Sequence, residues 1–300
     1  MDGKINNRLQ VAYTRAYTLT EGKEDGLKVI EVNNGKIRFL LNVSKACDIM
    51  QLWHEGTNIS FVSKNGFSAK DDSFLKRFEG GMLYTCGLDS IGNRDGYEMH
   101  GTLHNIPAKI TECYIDEKEI LIKADIENTQ LFGANLLLRR TIKTGVNSNA
   151  VVVIDELINR GTKVEPYCIL YHINLGYPFL NKDITINDQT REVVPRTVYA
   201  QDKIIRRTNF CDCIDNEQEV CYFIKHAKPE IEVVNEQLGK CFSLRYSIET
   251  LPCFVQWCSV SSFDYALGLE PSTTELDERF EYKFIQPNEK IRFAIEIRVE

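Results

Sequence analysis

The feature that most constrains this chain is a repeated pairing of short β-favouring runs around tight turns, with almost no helical periodicity between them. Val29-Ile30-Glu31-Val32 and Ile37-Arg38-Phe39-Leu40-Leu41 flank Asn33-Asn34-Gly35, a turn that tolerates positive φ, and so read as a hairpin. The pattern recurs where Ala108 to Ile115 and Ile120 to Ile126 flank Asp-Glu-Lys-Glu. It returns where Leu136 to Lys143 and Ala150 to Ile158 flank Thr144-Gly145-Val146-Asn147-Ser148-Asn149. Further runs follow at Val220 to Ile224, Ile231 to Val234, Phe242 to Ile248, Phe254 to Val260, Tyr265 to Leu269 and Ile291 to Val299. Asp72 to Phe78 is the best candidate for a short helix, and Gly80 to Gly96 reads as a Gly-rich loop. Strands following strands predict an all-β fold of antiparallel sheets, packed as a sandwich or closed as a barrel, and disfavour a doubly wound nucleotide-binding fold. No linker or fixed-period repeat divides the 300 residues, so one domain over 1–300 is expected, with the first 25 or so residues as a peripheral extension.

Charge and cysteine content narrow the function classes. The net charge is −7 with no long basic run, which argues against nucleic acid or an anionic membrane as partner. The first residues lack the apolar core of a signal peptide and no stretch is apolar enough to span a bilayer, so a cytoplasmic location is expected. Ten cysteines are scattered through candidate strands without any Cys-x-x-Cys pair; Cys211-x-Cys213 with Cys221 is the one local cluster. Most read as buried small apolar residues in a reducing compartment. The phosphate-loop and Gly-x-Ser-x-Gly motifs are absent.

The five histidines are His54, His100, His104, His172 and His226. His100-Gly101 and His104 share a segment whose glycine and Pro107 oppose helix. Extended residues four apart lie roughly 13 Å from each other, too far to share one ion, so no metal site is expected there. Gly101 permits close backbone approach by a ligand. Tyr171-His172-Ile173-Asn174-Leu175-Gly176-Tyr177-Pro178 looks like a strand running out into a loop, with His172 at its rim. Gly268-Leu269-Glu270-Pro271 sets a carboxylate directly after an apolar run. One Glu and one His from distant segments are the minimum set for a general base and a general acid.

Together these segments resemble the aldose 1-epimerase (galactose mutarotase-like) family, and most closely its uncharacterised bacterial branch known as a domain of unknown function. The resemblance runs through Glu79-Gly80-Gly81-Met82-Leu83-Tyr84-Thr85-Cys86-Gly87-Leu88-Asp89, His100-Gly101, Asn105-Ile106-Pro107-Ala108, the Tyr171 to Pro178 segment, Gln256-Trp257 and Gly268-Leu269-Glu270-Pro271. It implies a galactose mutarotase-like β-supersandwich with little helix and a sugar cleft on a concave sheet face. It also implies that His172 is the general acid at the ring oxygen, that Glu270 is the base at the anomeric hydroxyl, and that His100 binds the sugar. Asp89, Asn174, Gln256 and Trp257 are further candidate sugar contacts, while the family's additional sugar-binding Asp has no clear match. The branch pattern of Arg-Gly before an Asp is replaced here by Lys45-Ala46-Cys47-Asp48.

The expected function is therefore a carbohydrate-binding isomerase of aldose 1-epimerase type that interconverts α and β anomers of a free monosaccharide. Neither cofactor nor metal is expected, since positioned acid and base groups each contribute about 10² to 10⁴ in rate. A homodimer is compatible with this reading. Two alternatives stay open: a non-catalytic sugar-binding module, and an isomerase or lyase on an unusual sugar or sugar acid. A hexose phosphate would require basic residues at the cleft, for which Arg139-Arg140 and Arg206-Arg207 are the candidates, although adjacent strand residues face opposite ways and most such pairs are solvated.

Overall fold

The computed structural model describes residues 3–70 and 72–300. The first sheet is formed by β1 (Tyr13–Thr18), β2 (Lys28–Asn33), β3 (Ile37–Asn42), β4 (Asp48–His54) and β5 (Thr57–Asn58), hydrogen-bonded in that order. A four-residue helix, α1 (Phe74–Arg77), leads to β6 (Leu83–Leu88). The remaining strands are β7 (Lys109–Ile115), β8 (Glu119–Thr129), β9 (Asn135–Gly145), β10 (Ala150–Asn159), β11 (Glu165–Leu175) and β12 (Ile184–Pro195), then, after α2 (Val198–Asp202), β13 (Val220–Asn235), β14 (Lys240–Tyr246), β15 (Cys253–Ser261), β16 (Asp264–Ser272), β17 (Lys283–Ile285) and β18 (Lys290–Val299). They form a thirteen-stranded sheet in the order β17-β11-β16-β15-β13-β14-β18-β10-β9-β8-β7, with β12 on β13 and β6 on β11. Every ladder between these strands is antiparallel. The expected all-β class is thus observed.

Alternation along the strands builds the core. Val32, Phe39, Leu41 and Leu52 of the small sheet pack with Ile122, Leu138, Val153, Ile169 and Ile295 of the large one. The first hairpin also docks on the third: buried Asn34 donates from Nδ2 to Thr144 Oγ1 and to the carbonyls of Gly145 and Ser148. The N-terminal segment expected to be peripheral supplies β1, the edge strand of the small sheet.

Three local expectations change. Leu83 to Leu88, inside the stretch read as a loop, is a strand buried at every position, so it shows no polar alternation to reveal it. Val220 to Ile224 and Ile231 to Val234 are two parts of one strand, β13, whose Pro229 sits between the stretch paired with β15 and the stretch paired with β14. The helix expected over 72–78 shrinks to four residues. All ten cysteines are free, but only five of them are buried, half rather than the expected majority. Among the described residues no helix is long and apolar enough to cross a membrane.

Candidate active site

On β11, Tyr167, Ile169, Tyr171 and Ile173 face the core between the sheets, while Cys168, Leu170 and His172 point to the opposite face. The β11–β16 register pairs Leu170 with Ser272 and Ile173 with Leu269, which sets His172 across from Glu270. The next ladder pairs Glu270 with Val255 and Gly268 with Trp257, and the one beyond pairs Trp257 with Cys221. A row of functional side chains thus crosses the sheet on its outer face. The imidazole Nε2 of His172 lies 3.3 Å from Glu270 Oε1. His172 was expected at a rim, yet both residues are buried within their strands, on the floor of a cavity of about 440 Å³. That volume accommodates a monosaccharide.

Gly268 makes this packing possible. A Cβ there would fall 2.6 Å from Glu270 Oε1 and 3.1 Å from both His172 Cε1 and Trp257 Cβ. Aromatic rings wall the cavity: Phe78 and Trp257 stand 5.5 and 5.6 Å from the His172 ring, and Phe61 meets Trp257 edge-on at 6.2 Å. Such faces stack on the apolar side of a pyranose.

His100 enters from the loop after β6, its ring 5.5 Å from that of His172 and 4.9 Å from Phe74. Its Nδ1 accepts a hydrogen bond from the Gly92 amide, so the proton of the neutral ring sits on Nε2, available as a donor. The neighbouring Gly101, expected to permit close approach by a ligand, is needed by the chain itself. At φ 75° a Cβ there would lie 2.4 Å from the Ser90 carbonyl and 2.6 Å from both the Asp89 carboxylate and the Gly87 carbonyl.

The electrostatics of the floor follow from burial. Desolvation pushes the Glu270 carboxyl well above the ordinary carboxylate range, Glu219 adds to this, and Arg196 opposes it. Desolvation pushes His172 well below the usual imidazole value, helped by His100 and opposed by Asn174. His100 is lowered to about 4, by burial first and by Arg196 second. Each group alone is therefore favoured in its neutral form.

His100, His172, Glu270 and Trp257 all line this cavity; Asp89, Asn174 and Gln256 do not. The Asp89 carboxylate accepts from the amides of Ser90 and Thr102 and from the Thr102 hydroxyl, fixing the loop that carries His100. Asn174 donates to the carbonyls of Gly81 and His172. Gln256 sits one residue from Trp257 and so faces the other way, where it donates to the Arg207 carbonyl. Residues that sequence reasoning missed are Arg196, Glu217 and Glu219, which belong to no recognisable motif, and Phe74 and Phe78, whose spacing lay in the helix candidate. Neither double-arginine candidate reaches the cavity. Arg139 pairs with Asp125, Arg140 is wholly buried against Asp48 and Asp155, Arg206 pairs with Glu217 and Arg207 with Asp188. No group of three or more His, Cys, Asp or Glu side chains among the described residues is arranged to hold a metal ion.

Comparison with solved structures places the fold. A protein from Klebsiella pneumoniae provisionally named an aldose 1-epimerase superposes with a TM-score of 0.82 at 18% identity, over 97% of this chain and 88% of that one. A galactose mutarotase-like protein from Clostridium acetobutylicum gives 0.74 at 12% identity, over 97% and 99%. A galactose mutarotase related enzyme from Lactobacillus acidophilus gives 0.64 at 10% identity, over 91% and 97%. No curated protein matches the chain. Residues 24–299 match the family described as a domain of unknown function (DUF4432), and the chain therefore belongs to that family, on the galactose mutarotase-like β-supersandwich.

Proposed function

We propose that the protein is an aldose 1-epimerase acting on a free monosaccharide, with Glu270 and His172 as its base and acid. The observation that carries this reading is the 3.3 Å approach of His172 Nε2 to Glu270 Oε1 on the floor of an aromatic-walled cavity of sugar size. Passage of the Glu270 proton to His172 converts the resting neutral pair into carboxylate and imidazolium. The carboxylate then takes the proton of the anomeric hydroxyl while the imidazolium protonates the ring oxygen; the bond from the anomeric carbon to the ring oxygen breaks and an open-chain aldehyde forms. After rotation about the adjacent carbon–carbon bond, closure on the other face returns both protons. His100 Nε2–H serves as a hydrogen-bond donor to a sugar hydroxyl.

The test is NMR saturation transfer between α and β signals of glucose, galactose and less common aldoses. Wild-type protein accelerates exchange for at least one of them. Glu270→Gln, nearly isosteric but unable to accept a proton, and His172→Ala each lower the rate by roughly 10² to 10⁴ while thermal melts show a folded protein. His100→Ala weakens binding as well. Tight sugar binding without exchange across the panel overturns the catalytic reading in favour of a binding module.

A further inference from the structure

Several charged groups ring the mouth of the cavity, and nearly all are already matched. Lys64 pairs with Asp264 at 2.7 Å, and Arg196 forms a two-pronged contact with Asp277, Nε to Oδ2 at 2.7 Å and Nη2 to Oδ1 at 2.6 Å. Glu217 receives Arg206 at 2.5 Å and the Tyr199 hydroxyl. Glu219 is different. Its Oε2 accepts from the indole Nε1 of Trp257 at 2.7 Å, and among the described residues no cation comes within 4 Å of its carboxylate. It is therefore a negative charge on the exposed mouth, hydrogen-bonded to the aromatic wall on which a sugar ring would stack. Both cations of the mouth, Lys64 and Arg196, already have their charge matched by a carboxylate.

We infer that Glu219 is a specificity-determining residue: its unmatched carboxylate, held at the mouth by Trp257, turns away sugars bearing phosphate or carboxylate groups and admits uncharged ones. The inference rests on the reading of the cavity as a sugar epimerase site, and it assigns the charge class of the substrate. Repulsion at an exposed mouth acts through solvent, so the discrimination it supplies is modest and screened by salt.

The experiment uses matched probes, glucose against glucose 6-phosphate and galactose against galacturonate. Anomer exchange and ligand-observed NMR binding are both measured for wild type and Glu219→Gln, whose amide carbonyl still accepts from the Trp257 indole. In the wild type, kcat/KM and binding favour the neutral member of each pair. Glu219→Gln shrinks that ratio by about fivefold, chiefly through KM. Raising the ionic strength shrinks it in the wild type and hardly in the variant. Trp257 fluorescence unchanged in the variant shows that the wall has stayed in place. A wild type that prefers the phosphate or the uronate, or a ratio that Glu219→Gln leaves unmoved, overturns the inference. Binding selectivity that shifts as expected without any anomer exchange sinks the epimerase reading and leaves the filter standing. Absence of binding by every probe in both proteins removes both.

Discussion

Glu270 is a residue whose catalytic use and stability cost pull in opposite directions. Its folded-state pKa is raised, by burial first and Glu219 second, so the fold holds the carboxyl proton more tightly than the unfolded chain does. Stability tied to this group is complete below the unfolded carboxylate value near 4.3 and is lost as pH rises toward the folded value. Glu270→Gln is accordingly expected to melt higher than wild type at pH 7 to 8, with a gap that closes toward pH 4, even as it loses activity. Calorimetry at four pH values checks this; equal melting temperatures throughout would mean that the carboxylate is not desolvated. His100 has the opposite sign. Its pKa falls to about 4, so the fold disfavours protonation, and stability declines as pH drops from about 6.5 toward 4. His100→Asn keeps a side chain suited to the local φ of 63° and removes that decline. An acid limb unchanged in the variant would assign the effect elsewhere.

At the scale of elements, β16 is built to bring a carboxylate against an imidazole, and Gly268 is the residue that leaves room. Its φ is ordinary for a strand, so Gly268→Ala is conformationally allowed, yet the added methyl must displace the Glu270 carboxylate or the His172 ring. The expected outcome is a folded protein with anomer exchange reduced at least tenfold, a misplacement effect read in kcat more than in melting temperature. Wild-type turnover in Gly268→Ala would show that the pair tolerates rearrangement. The Leu-Glu-Pro neighbourhood was legible because the apolar run Tyr265 to Leu267 announced the strand, and His172 was legible for the same reason on β11. What alternation could not supply was depth. Pro271 and Pro178 suggest strand ends, whereas β16 continues to Ser272 and β11 to Leu175, which sinks both residues into the sheet. Parity explains why Trp257 lines the cavity and Gln256 does not. Asn174 has the parity of His172, yet its amide is taken up by the carbonyls of Gly81 and His172. β12 escaped notice because its side chains past Ile186 are mostly polar and none is buried, on an outlying strand.

Over the whole molecule, the two sheets are joined by more than apolar packing. Arg140 of β9, completely buried, donates to both Asp155 oxygens, to Asp48 of β4 in the small sheet, to the Ala46 carbonyl and to the Thr85 hydroxyl. Tyr171 adds a hydroxyl to Asp155 at 2.7 Å, and His104, stacked on Tyr84, meets Asp48 at 2.7 Å. None of this was legible, because an arginine next to another arginine reads as surface and its partners lie 15 to 94 residues away. The turn Lys45-Ala46-Cys47-Asp48 departs from the branch pattern of Arg-Gly, and Ala46 and Cys47 take left-handed φ values of 48° and 55°, at a cost of roughly 1 kcal/mol each. The Arg140 bond to Ala46 holds that turn. Burial alone would raise the Asp48 carboxyl, but Arg140 and His104 outweigh it and hold it below its ordinary value. Its contribution is therefore complete above the unfolded value near 3.9 and lost as pH falls through the folded one. Arg140→Met leaves buried Asp155 without its cation and buried Asp48 with His104 alone, an arrangement that costs about 3 to 5 kcal/mol. Urea unfolding at pH 7 should show that loss, and adding Asp48→Asn and Asp155→Asn to Arg140→Met should recover part of it by removing the stranded charges. A loss under about 1 kcal/mol in Arg140→Met, or no recovery in the triple variant, would mean that the sheets are held by their apolar faces alone.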